Sequence, residues 1–164
     1  MSEAQTQNIE YYPTVSGVVI HEDKVLLVLS EALGLWLAPN THTGVNETPI
    51  DALYRQIKDD ADLEQDDLTL LPVYTENLTI ERDEQEGVTQ SMPFDVDIHK
   101  VGSNGHHHVD SAYILISDTD VVSPGSGRQA QWFDEDELDS LAITTEATKG
   151  RAKFALKKAQ AQTR

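Results

Sequence analysis

Short apolar blocks of strand character open the chain, and the apolar spacing then changes from two residues to three or four. Residues 14–20 and 24–29 are rich in Val, Leu and Ile and predict two strands joined at Glu22-Asp23. Ile50, Leu53, Tyr54, Ile57 and Ala61 then recur at helical spacing and predict a buried stripe. Thr48-Pro49-Ile50-Asp51 supplies the start of that helix. Thr48 is the cap, Pro49 suits the first helical position, and Asp51 can reach back to the cap. Arg55, Gln56, Asp59 and Asp60 fall on the opposite, solvent side of the cylinder. Further strands are predicted within 68–79, over 92–101 and over 107–117, with a charged connector over 80–90. A loop carrying Pro124, Gly125 and Gly127 leads to a short strand through Trp132 and a short helix. A terminal helix over 145–162 has alternating charges that predict partial exposure. Residues 1–12 are polar and read as a flexible segment, leaving 13–164 as a single domain. Mixed strands flanked by helices predict an α/β sandwich.

Composition narrows the function classes. The chain has 164 residues, enough to bury a sizeable core, and no apolar run approaches the length of a membrane span. The N-terminus lacks the pattern of a signal peptide, so the expected location is the cytoplasm. Cysteine is absent, which excludes disulfides and thiolate metal sites. With 29 acidic and 12 basic residues the net charge is −17. Such a surface repels nucleic acid polymers and anionic membranes. The same acidity also suits a salt-rich cytoplasm or a merely acidic proteome. A small phosphorylated ligand needs cations to approach it, which agrees with a metal-dependent site.

The candidate chemistry centres on the helix. Glu47 lies just before the cap, Arg55 eight positions on, and the adjacent carboxylates Asp59 and Asp60 follow. The usual meaning of such a charged face is solvation. The lead-in Leu35-Trp36-Leu37-Ala38-Pro39-Asn40-Thr41-His42-Thr43-Gly44 adds to it, and with these residues the chain resembles the Nudix (MutT-like) hydrolases. Their box runs G-x5-E-x7-R-E-U-x-E-E-x-G-U, where U is a bulky aliphatic residue. Trp36 and Pro39 hold the lead-in, Glu47 and Arg55 their box positions, Ile57 and Leu63 the aliphatic ones, and Asp59 and Asp60 those of the paired glutamates. Gln131-Trp132-Phe133, running into Asp134-Glu135-Asp136-Glu137-Leu138, resembles the strand-into-helix near the end of that fold. The resemblance spans roughly residues 12–141.

The box also departs from the pattern. Thr41 and Asp62 replace its glycines, and Asn40 replaces one in the lead-in. Asn and Asp are the non-glycine residues that best tolerate positive φ. Gln56 replaces a glutamate, and an amide carries no charge and cannot act as a general base. The resemblance implies an α/β/α sandwich with a mixed sheet. It also implies a hydrolase that cleaves a nucleoside diphosphate linked to another moiety with Mg²⁺ or Mn²⁺. On that reading Asp59 and Asp60 are metal ligands, and Glu47 is a further ligand or positions the metal or its water. Arg55 orients a box carboxylate, and Gln56 contributes weakly. Proton abstraction then falls to another carboxylate such as Asp110, or turnover is slow. The alternative is a weakened or inactive Nudix-fold module that binds nucleotides or regulates. The residues specify neither the group on the pyrophosphate nor an oligomeric state.

A second constellation lies outside the box. In Pro93-Phe94-Asp95-Val96-Asp97-Ile98-His99 the polar residues share one strand face, and His106, His108 and Asp110 share another after a Gly-Ser-Asn-Gly turn. Antiparallel pairing about that turn is predicted to set His99 against His106, Asp97 against His108 and Asp95 against Asp110. His107 points the other way. Such a ladder has the ligand chemistry of a transition-metal site formed by His99, His106, His108, Asp97 and Asp110. The alternative is that the histidines cap an exposed hairpin and pair with the aspartates. A third functional reading makes this hairpin the working centre and the box a relic. Trp36 and Trp132 read as core or pocket-wall residues, and Tyr11, Tyr12 and Tyr74 as candidates for stacking on a base.

Overall fold

The central strands of the sheet are the two with the longest apolar runs. In a computed structural model, which describes residues 8–73, 90–125 and 127–162, β1 (Glu10–His21) and β7 (His106–Ser117) lie parallel. Their register runs from Glu10↔His106 to Ile20↔Ile116. β2 (Lys24–Ser30) pairs with β1 at Ile20↔Val25 and His21↔Lys24, then with β3 (Leu35–Leu37) and β8 (Ala130–Phe133). The remaining edge of β1 is taken by β4 (Asn40–His42). Across β7, β6 (Asp95–Val101) covers the first half and β5 (Leu68–Leu71) the second. The result is a mixed eight-stranded sheet.

Alternation along β1 and β7 divides the core in two. Val15, Val19, Tyr113 and Leu115 pack against Leu53 and Ile57 of α1 (Pro49–Ala61). Val18, Ile20 and Ile114 pack on the other face against Leu138 of α2 (Glu135–Ser140) and Ala152, Ala155 and Leu156 of α3 (Glu146–Gln162). This is the α/β/α sandwich. α1 approaches so closely that a Cβ at Gly17 would lie 2.8 Å from Leu53 Cδ1. Among the described residues no helix is long and apolar enough to cross a membrane.

The ends of α1 are set by local chemistry. Thr48 caps the backbone amide of Asp51, and the Asp51 side chain accepts from the Thr48 backbone in return, a full capping box. The helix ends at Asp62 in the left-handed region, with φ 59°. That is the position of a box glycine, and aspartate is among the residues that best tolerate it. Thr41, at the other glycine position, lies in the extended strand β4 and needs no such freedom.

Two expectations are corrected. Glu10 to Tyr12, expected to be loose, are the start of β1, because β7 extends back to His106 and gives them a partner ladder. The β6–β7 hairpin pairs Val101 with His106, His99 with His108 and Asp97 with Asp110. The predicted register is therefore displaced by two residues. The cause is a four-residue turn, Gly102 to Gly105, whose two glycines adopt φ of 69° and 79°. An even displacement preserves the faces. Most of the connector expected over 80–90, the end of the strand expected within 68–79, and Tyr74 lie outside the described residues.

Candidate functional site

Asp60 does not lie on the solvent side of α1. It is 5 % exposed, because the helix leans on the sheet along a line that includes Ile57 and Ala61 and brings Asp60 inward beside them. Its Oδ1 accepts from Gln56 Nε2 at 2.8 Å, one turn back, and from the guanidinium of Arg128. Burial pushes the Asp60 carboxyl above the usual aspartate value, against the opposing pull of Gln56 and Arg128. Asp60 and Arg128 open onto a cavity of about 350 Å³ whose other walls are Val28, Leu29, Glu31 and Gly127. The cavity joins the end of β2, the last turn of α1 and the loop before β8. Asp59 is exposed and is not one of the residues that line it.

Glu47 and Arg55 serve the approach to this helix. Arg55 grips both carboxylate oxygens of Glu47, from Nε at 3.1 Å and Nη2 at 2.6 Å. The Gly44 amide donates to the same carboxylate at 2.8 Å. Those contacts, the Arg55 side chain first, hold the Glu47 carboxyl below its ordinary value. With both oxygens accepting, Glu47 ties the loop after β4 to α1. Gln56 spends its amide nitrogen on Asp60, which leaves its carbonyl oxygen as the remaining donor atom.

The histidines occupy the opposite face of the sheet, the one covered by α3. Tyr12, Thr14 and Ser16 alternate toward it, as do His106, His108 and Asp110. Asp110 is 3 % exposed and accepts from Thr14 Oγ1 at 2.8 Å, Ser16 Oγ at 2.7 Å and Arg151 Nη1 at 2.7 Å. It lies on the α3 face of the sheet, opposite the face packed by the helix that carries Asp59 and Asp60. Arg151 also reaches Asp95 at 2.8 Å and Asp97 at 3.3 Å. His99 turns its Nδ1 to Asp97 at 2.7 Å. His107 faces away and packs on Tyr11, with ring centres 5.5 Å apart. His42, which the sequence pattern did not single out, joins His106 and His108. Their ligand nitrogens all lie within 4.8 Å of one another.

Sequence reasoning also missed Glu31, Arg128 and Arg151. A basic residue in a chain with 12 of them against 29 acidic ones was the available signal for the two arginines. Nothing local marked Glu31. Trp132 packs on the α1-side core, with its Nε1 donating to the Asp120 carbonyl at 2.8 Å.

No protein-family model and no curated protein matches the chain by sequence. Solved structures match it throughout. A hydrolase of the NUDIX family from Clostridium perfringens is 28% identical, with a TM-score of 0.76 over 89% of this chain and 96% of that one. The C. elegans Ap4A hydrolase in a binary complex is 14% identical, with a TM-score of 0.63 over 93% and 97%. The NUDIX domain of Shewanella oneidensis NrtR complexed with ADP ribose is 13% identical, with a TM-score of 0.62 over the full length of both chains.

Proposed function

Since the chain belongs to the Nudix fold family, we propose that it hydrolyses the pyrophosphate bond of a nucleoside diphosphate linked to another group, with Mg²⁺ or Mn²⁺ as cofactor. The observation that carries this reading is Asp60, a buried carboxylate facing a cavity of about 350 Å³ that also presents the Arg128 guanidinium. A cavity of that size accepts a small molecule. ADP ribose and Ap4A, named with two of the structural relatives, are the ligand classes to try first.

The donor set suits a hard cation. Asp59, Asp60 and the Gln56 carbonyl oxygen are all oxygen ligands, and Mg²⁺ is commonly held by one or two carboxylates together with substrate phosphates. Such an ion, when bound, neutralises phosphoryl oxygens and lowers the pKa of its water. The protein's own groups do the rest. Arg128 exchanges Asp60 for a substrate phosphate and brings positive charge into a chain of net charge −17. Gln56 is unable to take a proton, and Asp110 is on the wrong face. Glu31, in the cavity wall, is the carboxylate that accepts the proton of the attacking water. Glu47 and Arg55 act as positioning residues, fixing the loop against the helix that carries the aspartates.

The test is release of nucleoside monophosphate from ADP-ribose and dinucleoside polyphosphates, with and without Mg²⁺ or Mn²⁺. Turnover should require the cation and fall at least about 100-fold in Asp60→Asn, the scale of losing a group that acts on the reacting centre. Metal-dependent turnover intact in Asp60→Asn refutes the assignment. A second reading, a nucleotide-binding module without chemistry, is favoured by one contact: Arg128 already neutralises the carboxylate that a cation would use. Calorimetry decides between them, since tight ADP-ribose binding without turnover at any metal concentration supports the module.

A further inference from the structure

We propose that His42, His106 and His108 form a transition-metal site on the face of the sheet opposite the α1 cleft, with Zn²⁺ as the reference ion. The three imidazoles come from two strands that do not pair with each other. β4 carries His42 and β7 carries the other two, with β1 between them. Their ligand atoms lie within 4.8 Å of one another. Ring centres are 4.6 Å apart for His42 and His108, 5.1 Å for His106 and His108, and 6.2 Å for His42 and His106.

The geometry is close to that required. Zn–N bonds of about 2.0–2.1 Å set tetrahedral nitrogens roughly 3.3 Å apart. The ligand atoms all lie within 4.8 Å of one another, so they have to close by no more than about 1.5 Å. Tyr12 stacks on His106 with ring centres 4.2 Å apart and planes 12° from parallel, and its hydroxyl donates to Glu10 Oε2 at 2.6 Å. His42 is exposed, which leaves a fourth position open to water.

The electrostatics also call for a cation. On the same face, Asp95, Asp97 and Asp110 share the single guanidinium of Arg151, and Asp97 also meets His99 Nδ1, so the carboxylates outnumber the arginine that pairs with them. Three nitrogen donors select Zn²⁺, Cu²⁺ or Ni²⁺ over Mg²⁺ and distinguish this site chemically from the oxygen donors of the cleft. Bound metal would tie β4 to β7 across β1. β4 leads into Gly44 and Glu47, and the His42 carbonyl accepts from Arg55 at 3.5 Å, so the site stabilises the loop that precedes α1. The inference does not rest on the hydrolase reading.

The experiment uses chelator-treated protein, titrated with Co²⁺ and then Zn²⁺ in excess Mg²⁺, which saturates carboxylate sites. The expected result is one equivalent bound, a Co²⁺ visible spectrum of tetrahedral intensity, and its loss on adding Zn²⁺. At a hundredfold excess over Kd, Zn²⁺ should raise Tm by about 5–10 °C. His106→Ala and the exposed-site variant His42→Asn should each weaken binding at least about tenfold and lose the spectrum. Asp59→Asn/Asp60→Asn should leave both unchanged, which separates failure here from failure of the cleft assignment. One-equivalent binding retained in a folded His42→Asn/His106→Ala double variant, or no binding above Mg²⁺, overturns the proposal.

Discussion

Arg128→Gln isolates the interaction that decides how the cleft works. The substitution removes the guanidinium from a carboxylate whose side chain is 8% exposed, while Gln56 continues to donate to it. Breaking a fully buried pair costs about 3–5 kcal/mol. The Arg128 side chain is 45% exposed, so solvent screens the pair and the cost falls to about 1–2 kcal/mol. For a chain of this size that lowers Tm by about 2–8 °C. The pH dependence gives the sign. Burial already raises the folded-state pKa of Asp60, so the native protein holds its proton more tightly than the unfolded chain does. Stability from this group is then greatest at low pH and is lost as pH rises through the folded value. Arg128 opposes that rise, so its removal enlarges the loss. Urea denaturation from pH 4 to 8 should therefore show variant and wild type converging as pH falls and diverging toward pH 8. Mg²⁺ should restore more stability to the variant than to wild type, because the freed carboxylate has only the cation to pair with. A stability difference independent of pH, or no preferential effect of Mg²⁺, refutes the assignment of Asp60 as a buried charge compensated by Arg128.

Three further outcomes are expected. Glu31→Gln should lower kcat about 10²–10⁴-fold with little change in KM if Glu31 takes the proton, measured by steady-state hydrolysis of ADP-ribose. Gly17→Ala should destabilise by about 1–3 kcal/mol in chemical denaturation, because the new methyl lies 2.8 Å from Leu53 Cδ1 and 3.1 Å from Leu115 Cδ1 and makes those buried side-chain ends repack. Arg151→Met should cost roughly 3–5 kcal/mol, since it strands the buried Asp110 with only two hydroxyl donors, and Arg151→Lys should recover part of that because one ammonium cannot span three carboxylates.

What the sequence by itself determined is local. The reciprocal cap of Thr48 and Asp51 and the tolerance of Asp62 for φ 59° depend on residues within one turn. The shared face of Asp95, Asp97 and His99 follows from strand pleating alone, and it survived a register displaced by two residues. The α/β layering was legible in the spacing of apolar positions and in the box-like run from Glu47 to Leu63. Only the tertiary structure decided which polar groups meet. Asp60 looked solvent-facing from helix periodicity, yet its burial depends on where α1 leans, and its partner Arg128 lies 68 residues away. Arg151 converges on three aspartates from another layer of the fold, and His42 reaches His106 and His108 only because β1 aligns both neighbours with itself. Periodicity assigns a residue to a face. The charges and donors it finds there come from chain segments brought together by burying the two cores, an event no local pattern encodes.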